Sequence, residues 1–308
     1  MATQNSDIIV AGHFSIDSIS LPNRLHPIVV LGGSAAYTSL TAKRLGATVS
    51  VISKVGADFP EAYMWWLNQE GIDLTNVIKA TNEKTTSFEL KYSEDLTKRT
   101  LRLKNKTSPI TKNEIPNTLH AKAIHIAPIA NELPYETIEH LKARAEILSL
   151  DPQGILRSFD MAGNVKHHST IDKRILNQIT IYKSSAEELK AATHCQNLNT
   201  AIKTIHNLGI ETVIITLGAK GAILSIGRTR YNIPAYKSAI ALDPTGAGDA
   251  FIGAFLTEYI RQKDALWCTC VGSAAASLIV EAIGPTFLGE KGEIYQRAQT
   301  IYEKGIKQ

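Results

Sequence analysis

The stretch Asp243-Pro244-Thr245-Gly246-Ala247-Gly248-Asp249-Ala250-Phe251 runs from a turn rich in Pro, Gly and Asp straight into an apolar segment. From Asp249 to about Arg261 the pattern is helical. Phe251, Phe255 and Tyr259 fall on one face at i, i+4 and i+8, with Ile252, Leu256 and Ile260 beside them. A stripe that broad buries a helix, so its first turn is held against the protein body. The first N–H groups of a helix have no partner inside it, and the dipole makes that end partly positive. Gly246, Ala247 and Gly248 allow a ligand close to the backbone. Together they describe an anion hole suited to a phosphate. Asp249 then needs a reason, because a carboxylate repels a phosphate. From the residues alone two reasons stand equal: it offsets the helix dipole, or it takes a proton from an alcohol attacking phosphorus.

Around this stretch, short apolar runs alternate with helical patterns. Strands are expected at 7–11, 27–31, 48–54, 123–128, 147–150, 179–182 and 212–216, and helices at 34–45, 60–70, 135–146 and 200–208. That alternation implies βαβ units and a mostly parallel sheet. One section departs from it. Thr86, Phe88, Leu90 and Tyr92, then Leu101 and Leu103, alternate with polar residues, which is the period of half-buried antiparallel strands. They would be joined across 94–99, with 16–20 as a third strand. A small sheet attached to an α/β body would make a lid over a cleft.

The 308 residues are 44% hydrophobic and 20% charged, enough for a large core, with a net charge of 33 − 29 = +4. This mild basicity suits small anionic ligands. Nucleic acid is not expected as a partner, because the densest basic cluster, Lys98, Arg99, Arg102, Lys104 and Lys106, has few aromatics among it. No membrane partner is expected either: 265–280 is free of charge but shorter than a membrane span and reads as a buried helix. No basic-then-apolar leader is visible at the N-terminus. Cys195, Cys268 and Cys270 lack disulfide or zinc spacing and read as reduced thiols. His125, His167 and His168 have no partner at metal-ligand spacing and read as structural. These features lead to the expectation of a cytoplasmic protein.

Asp243–Phe251 resembles the signature D-[TP]-T-G-A-G-D-x-F of the PfkB, or ribokinase-like, carbohydrate kinase family. Gly32-Gly33-Ser34-Ala35-Ala36-Tyr37 with Arg44-Leu45-Gly46, Val55-Gly56-Ala57-Asp58, and Thr216-Leu217-Gly218-Ala219-Lys220-Gly221 resemble further motifs of that family, so the resemblance spans nearly the whole chain. It implies one ribokinase-like α/β domain over 1–308, with a lid formed by roughly 14–31 and 85–106. It implies transfer of the ATP γ-phosphoryl group to a hydroxyl, with Asp249 as the base and Gly246, Ala247 and Gly248 as the anion hole. Glu188 matches a glutamate that helps organise Mg²⁺ and the phosphates, although Ser185 stands where the family has asparagine. Thr216, Gly218 and Gly221 match the nucleotide loop, and Ser273 a position near adenine. Several members bind a monovalent cation near the signature, so such a cation is a further expectation. Lid edges in the family often pair with another chain, so a homodimer through the lid is expected.

The resemblance also orders the substrates. Asp17 matches the position that grips sugar hydroxyls, with Gly32 and Gly33 as backbone walls. Tyr37 replaces the usual asparagine. Asp151-Pro152-Gln153-Gly154-Ile155-Leu156-Arg157 is similar to the myo-inositol kinase and archaeal branches, with Gln153 facing a hydroxyl and Arg157 an acid or phosphate. A strand-ending turn is the alternative for that segment. A cyclic polyol such as myo-inositol is favoured, followed by a nucleoside or a simple sugar. Two other classes fit the residues less well. A catalytically silent sensor would be expected to lose Asp249 or the glycines. A dinucleotide oxidoreductase would need G-x-G-x-x-G after the first strand, where Gly12-His13-Phe14-Ser15 stands instead.

Overall fold

A computed structural model describes residues 4–22, 24–94, 99–167, 170–238 and 241–304. The strands, in chain order, are β1 (Gln4–Ala11), β2 (Ser15–Ser20), β3 (Ile28–Gly32), β4 (Val49–Gly56), β5 (Val77–Ala80), β6 (Ser87–Tyr92), β7 (Arg99–Asn105) and β8 (Leu119–Ile126). They continue as β9 (Ala145–Leu150), β10 (Arg157–Phe159), β11 (Val165–His167), β12 (Ile181–Ser185), β13 (Thr212–Thr216), β14 (Ala222–Ile226) and β15 (Thr229–Ile233). The helices are α1 (Ser34–Arg44), α2 (Glu61–Gln69), α3 (Tyr135–Lys142), α4 (Lys173–Leu176), α5 (Ala186–Thr193), α6 (Leu198–His206), α7 (Ala247–Tyr259), α8 (Ala265–Ile279) and α9 (Lys291–Glu303).

Nine strands form one sheet in the order β15-β14-β13-β12-β9-β8-β1-β4-β5. It is parallel from β5 to β13 and antiparallel at β14 and β15. Alternate side chains of β1 feed two cores. Ile8 and Val10 join a cluster with residues of α1, α7, α8 and α9, whereas Ile9 and Ala11 join one with α3, α4, α5 and α6. A parallel sheet covered on both faces follows from strands that are apolar throughout. The charge-free segment is the buried α8, and among the described residues no helix is long and apolar enough to cross a membrane.

The second sheet, β3-β2-β6-β7, is the small sheet expected as a lid. Its β2/β3 and β6/β7 pairs are antiparallel, and a parallel β2/β6 ladder joins them. The join at 94–99 and His168 fall partly or wholly outside the described residues. The hairpin β10/β11 had no signal in the sequence reading. Its turn reaches the lid, where the Leu103 N–H donates to the Gly163 carbonyl at 2.8 Å. Part of the β7 edge is thus satisfied within the chain, and an expected lid-to-lid dimer is left with the β3 edge. The third expected helix is shorter than its pattern, ending at Lys142 because Ala145 and Glu146 already belong to β9. His125 is fully buried against Ser149 Oγ at 3.0 Å, and burial pushes its pKa down to about 4, in keeping with a neutral structural role.

Glu132 ties the turn after β1 to the loop after β8. Its fully buried carboxylate accepts N–H groups from His13 at 2.9 Å, Ile129 at 3.0 Å and Ala130 at 2.8 Å. Each is a charge-assisted bond, and removing the acceptor strands several buried donors. Glu132→Ala is expected to cost about 3–5 kcal/mol of stability, read as a lower urea midpoint at unchanged m-value. A loss under about 1 kcal/mol would remove this hub from the account of the fold.

Candidate functional site

The parallel strands deliver their carboxyl ends to one side of the sheet, where α7 begins. Gly246 is the N-cap in the left-handed region at φ 80°, and a Cβ there would lie 2.1 Å from the Tyr37 ring. Only glycine fits both demands. One donor assigned to the anion hole is already used. The Ala247 N–H closes the turn on the Pro244 carbonyl at 3.2 Å, so Gly248 and Asp249 supply the N–H groups that lack an intrahelical acceptor. Thr38 Oγ1 donates to the Asp249 carbonyl at 3.1 Å and fixes this turn to α1.

Asp249 is only 9% exposed. Gln153 Nε2 donates to its Oδ1 at 3.3 Å and to Ser34 Oγ at 2.5 Å. Arg157 in turn donates to Gln153 Oε1 at 2.9 Å and to the Ile129 carbonyl at 3.1 Å. The segment after Asp151 is therefore both readings at once: a short 3₁₀ turn that also carries two side chains into the site. Burial raises the Asp249 carboxyl to about 6, with Lys183 pulling down and Asp151 pushing up. Lys183, from β12, is paired with Asp151 at 2.5 Å, the two side chains 5% and 2% exposed. Burial works against its charge, but Asp151, Asp249 and Glu188 outweigh that and hold it above the ordinary lysine range.

The lid supplies Asp17 from β2. A Cβ on Gly32 would lie 2.1 Å from Asp17 Oδ2, so the glycine makes room for the carboxylate. Asp17 Oδ1 is buried without a hydrogen-bond partner, and burial raises this carboxyl to about 6 as well. Gly33 caps α1 at φ 89°. Tyr37 is 1% exposed, its hydroxyl buried without a hydrogen-bond partner, and burial with the charges of Asp17, Asp243 and Asp249 lifts its pKa far above the ordinary range. The lid also grips the signature loop. Tyr92 Oη donates to Asp243 Oδ1 at 2.5 Å, and Arg99 reaches the Thr245 hydroxyl.

The residues assigned to the nucleotide lie next along the same edge. Ser185 and Glu188 form a capping box on α5: Glu188 Oε2 accepts the Ser185 N–H and hydroxyl, each at 2.8 Å, and Ser185 Oγ accepts the Glu188 N–H at 3.2 Å. Ser185 pairs in register with Thr216 on β13, whose hydroxyl donates to the Ser184 carbonyl at 3.4 Å. Gly218 opens the following 3₁₀ turn and Gly221 closes it; a Cβ on Gly221 would lie 2.0 Å from the Ile233 carbonyl oxygen. Ser273 on α8 donates to Pro234 at 3.2 Å, beside that turn. Among the described residues no group of three or more His, Cys, Asp or Glu could hold a metal ion by itself.

No site role was legible in the sequence for Lys183, Asp151, Ser34, Asp243 or Tyr92, and Arg99 stood there only in a basic lid cluster suited to a phosphorylated substrate or simply solvated. Lys183 left one usable trace, a lone charge in the apolar run Ile179-Thr180-Ile181-Tyr182 before Ser184. Tyr92 and Arg99 left none, because their partners are distant in sequence.

Comparison with known proteins agrees with this arrangement. The cytidine kinase of Thermococcus kodakarensis is 28% identical over 284 residues, covering 90% of this chain and 97% of its own. The inositol 3-kinase of Oryza sativa is 26% identical over 329 residues, covering 97% of this chain and 76% of its own. Among solved structures, a pyrophosphate-dependent kinase in the ribokinase family superposes with a TM-score of 0.80 at 23% identity, covering 94% of this chain and 99% of the other. A ribokinase from Arabidopsis thaliana gives 0.77 at 19%, covering 97% and 99%. Residues 8–291 match the pfkB family carbohydrate kinase, a span that takes in the small sheet, the signature loop and every residue of the candidate site. The chain therefore belongs to the pfkB family of carbohydrate kinases, phosphotransferases whose acceptor is an alcohol.

Proposed function

We propose that this protein transfers the γ-phosphoryl group of ATP to a hydroxyl of a cyclic polyol of the myo-inositol kind, with Asp249 as the general base. The observation that carries this is a buried carboxylate raised to about 6, on the same helical turn as the N–H groups of Gly248 and Asp249. A base of that pKa is ionised at neutral pH yet still takes a proton readily as the hydroxyl attacks. The new O–P bond forms as the bond to ADP breaks, and the proton passes to Asp249. The N–H groups of the hole oppose the charge on the equatorial oxygens. Gln153, held by Arg157, orients the base.

Asp17 Oδ1 has no partner within the protein. A substrate with a hydroxyl there satisfies it, and one without leaves a buried acceptor stranded. This favours polyols. Beyond Arg157 a tilted pair, Phe88 of β6 and Phe159 of β10, has centroids 6.3 Å apart, which supports a nucleoside as the second reading. The donor's nucleotide is assigned to Ser185, Thr216, Gly218, Gly221 and Ser273. Among the described residues no cluster could hold an ion alone, so Mg²⁺ would be carried largely by the phosphates. Glu188 has one carboxylate oxygen engaged in the capping box and would reach the ion through water, in keeping with the ion's preference for retaining waters. The ion's contribution when bound is to neutralise phosphate charge.

The test is ADP formation from ATP and Mg²⁺ with myo-inositol, nucleosides, ribose and fructose as acceptors. Phosphorylation of myo-inositol ahead of the others supports the proposal, a nucleoside in first place supports the second reading, and no acceptor-dependent ADP with any of them refutes both. Asp249→Asn is expected to cut kcat by at least about 100-fold while ATP still binds. Near-normal turnover would end the assignment of the base. The acid limb of kcat/KM is expected near pH 6 and steeper than for one group, because Asp17 and Asp249 both titrate there. Asp17→Asn should reduce it to the slope of a single group. Stability should move the other way. The folded protein keeps a proton on Asp249 that the unfolded chain loses near 4, so stability falls as pH rises from roughly 4 to 6. Asp249→Asn removes that cost, and its Tm at pH 8 is expected to equal or exceed that of the unaltered protein.

A further inference from the structure

We infer that Lys183 is a further catalytic residue: its ammonium contacts the phosphoryl group in flight, beside the N–H groups of Gly248 and Asp249. The inference rests on the kinase reading above and adds a residue to that site. A Cβ on Gly248 would lie 2.6 Å from Lys183 Nζ. Nothing larger than a glycine hydrogen therefore separates the ammonium from the loop. An ammonium has three N–H donors, and among the described residues its hydrogen-bond acceptor is Asp151 Oδ2 at 2.5 Å. Two donors are left for a ligand.

Charge balance points the same way. Asp249 sits on the turn that forms the hole, and Asp151 is close enough to act on it, so both carboxylates oppose an incoming phosphate. Lys183 is the cation that lies against both the loop and Asp151, and Arg157 is turned toward Gln153 and the Ile129 carbonyl. Asp151 also decides which chemistry Lys183 performs. A lysine held above its ordinary range keeps its proton, so Lys183 acts as fixed positive charge and Asp249 alone exchanges a proton. As the bond from phosphorus to the ADP oxygen breaks and that to the acceptor oxygen forms, Lys183 remains fully protonated and its attraction for the equatorial oxygens grows.

The competing view is that Lys183 only neutralises Asp151. The double variant Lys183→Met with Asp151→Asn separates the two, because it removes the pair without stranding a buried charge. Calorimetric titration of the full-length protein with Mg-ATP and Mg-ADP reads the result without need of the acceptor. ADP affinity is expected to stay within about twofold, and ATP affinity to fall about tenfold, or about 1.4 kcal/mol. Equal changes for both nucleotides, or none, overturn the inference. If the unaltered protein binds neither nucleotide, the kinase reading itself fails and this one with it. Should the double variant not fold, Lys183→Arg keeps the charge and the pair at a different reach. A kcat lowered at least about tenfold with unchanged ADP affinity supports the contact, and unchanged kcat refutes it.

Discussion

Everything in the site depends on keeping one carboxylate dry beside the amino end of a helix. Asp249 is 9% exposed, buried by the same apolar stripe that packs α7 against α1 and α8. In water that group would titrate near 4 and be a poor base. Buried without compensation it would lose its charge altogether. The protein places it between these limits, with Lys183, Arg157 and the Ser34 hydroxyl opposing burial and Asp151 adding to it. The result is a carboxylate that is ionised at neutral pH and, under the proposed mechanism, basic enough to take the acceptor's proton.

The same economy of charge shapes the surrounding elements. Strand β12 carries Lys183 toward α7, the carboxyl end of β9 supplies Asp151, and the turn after it supplies Gln153 and Arg157. All of them reach the site because the strands are parallel and present their carboxyl ends together, the place where open α/β sheets bind ligands. A cleft of about 480 Å³ opens elsewhere, lined by Asp7, Thr48, Lys122 and Glu146 among others. Lys122 and Asp7 satisfy one another there at 2.8 Å. At the site, Asp17, Tyr37 and Asp243 each keep a buried polar atom without a hydrogen-bond partner. Buried polar groups are costly unless something completes them, and a hydroxylated substrate is suited to do so for Asp17.

The lid enters through the same logic. Tyr92 and Arg99 reach Asp243 and Thr245, at the start of the signature loop. These contacts tie the small sheet directly to the loop that leads into α7. Two carboxylates raised to about 6, Asp17 from the small sheet and Asp249 from the body, both act on the buried Tyr37, whose ring packs against Gly246.

Sequence alone determined the α/β pattern, the alternating lid strands, the buried α8 and the helix that begins at the signature, because periodicity and turn chemistry are local. It also marked the glycines at the start of α7 as an anion site, with a base and a dipole-compensating carboxylate as equal readings of Asp249, while Asp17 stood out only through the family resemblance. Tertiary structure decided the rest. The Ala247 N–H proved to be taken by Pro244, the β10/β11 hairpin appeared where no period signalled it, and Ser185 and Glu188 proved to be a reciprocal cap. Lys183, Asp151, Gln153 and Arg157 come from separate parts of the chain, and their roles exist only where they meet. Coulombic and hydrogen-bond terms depend on distance and burial, and neither is defined until the sheet has brought the ends of its strands together.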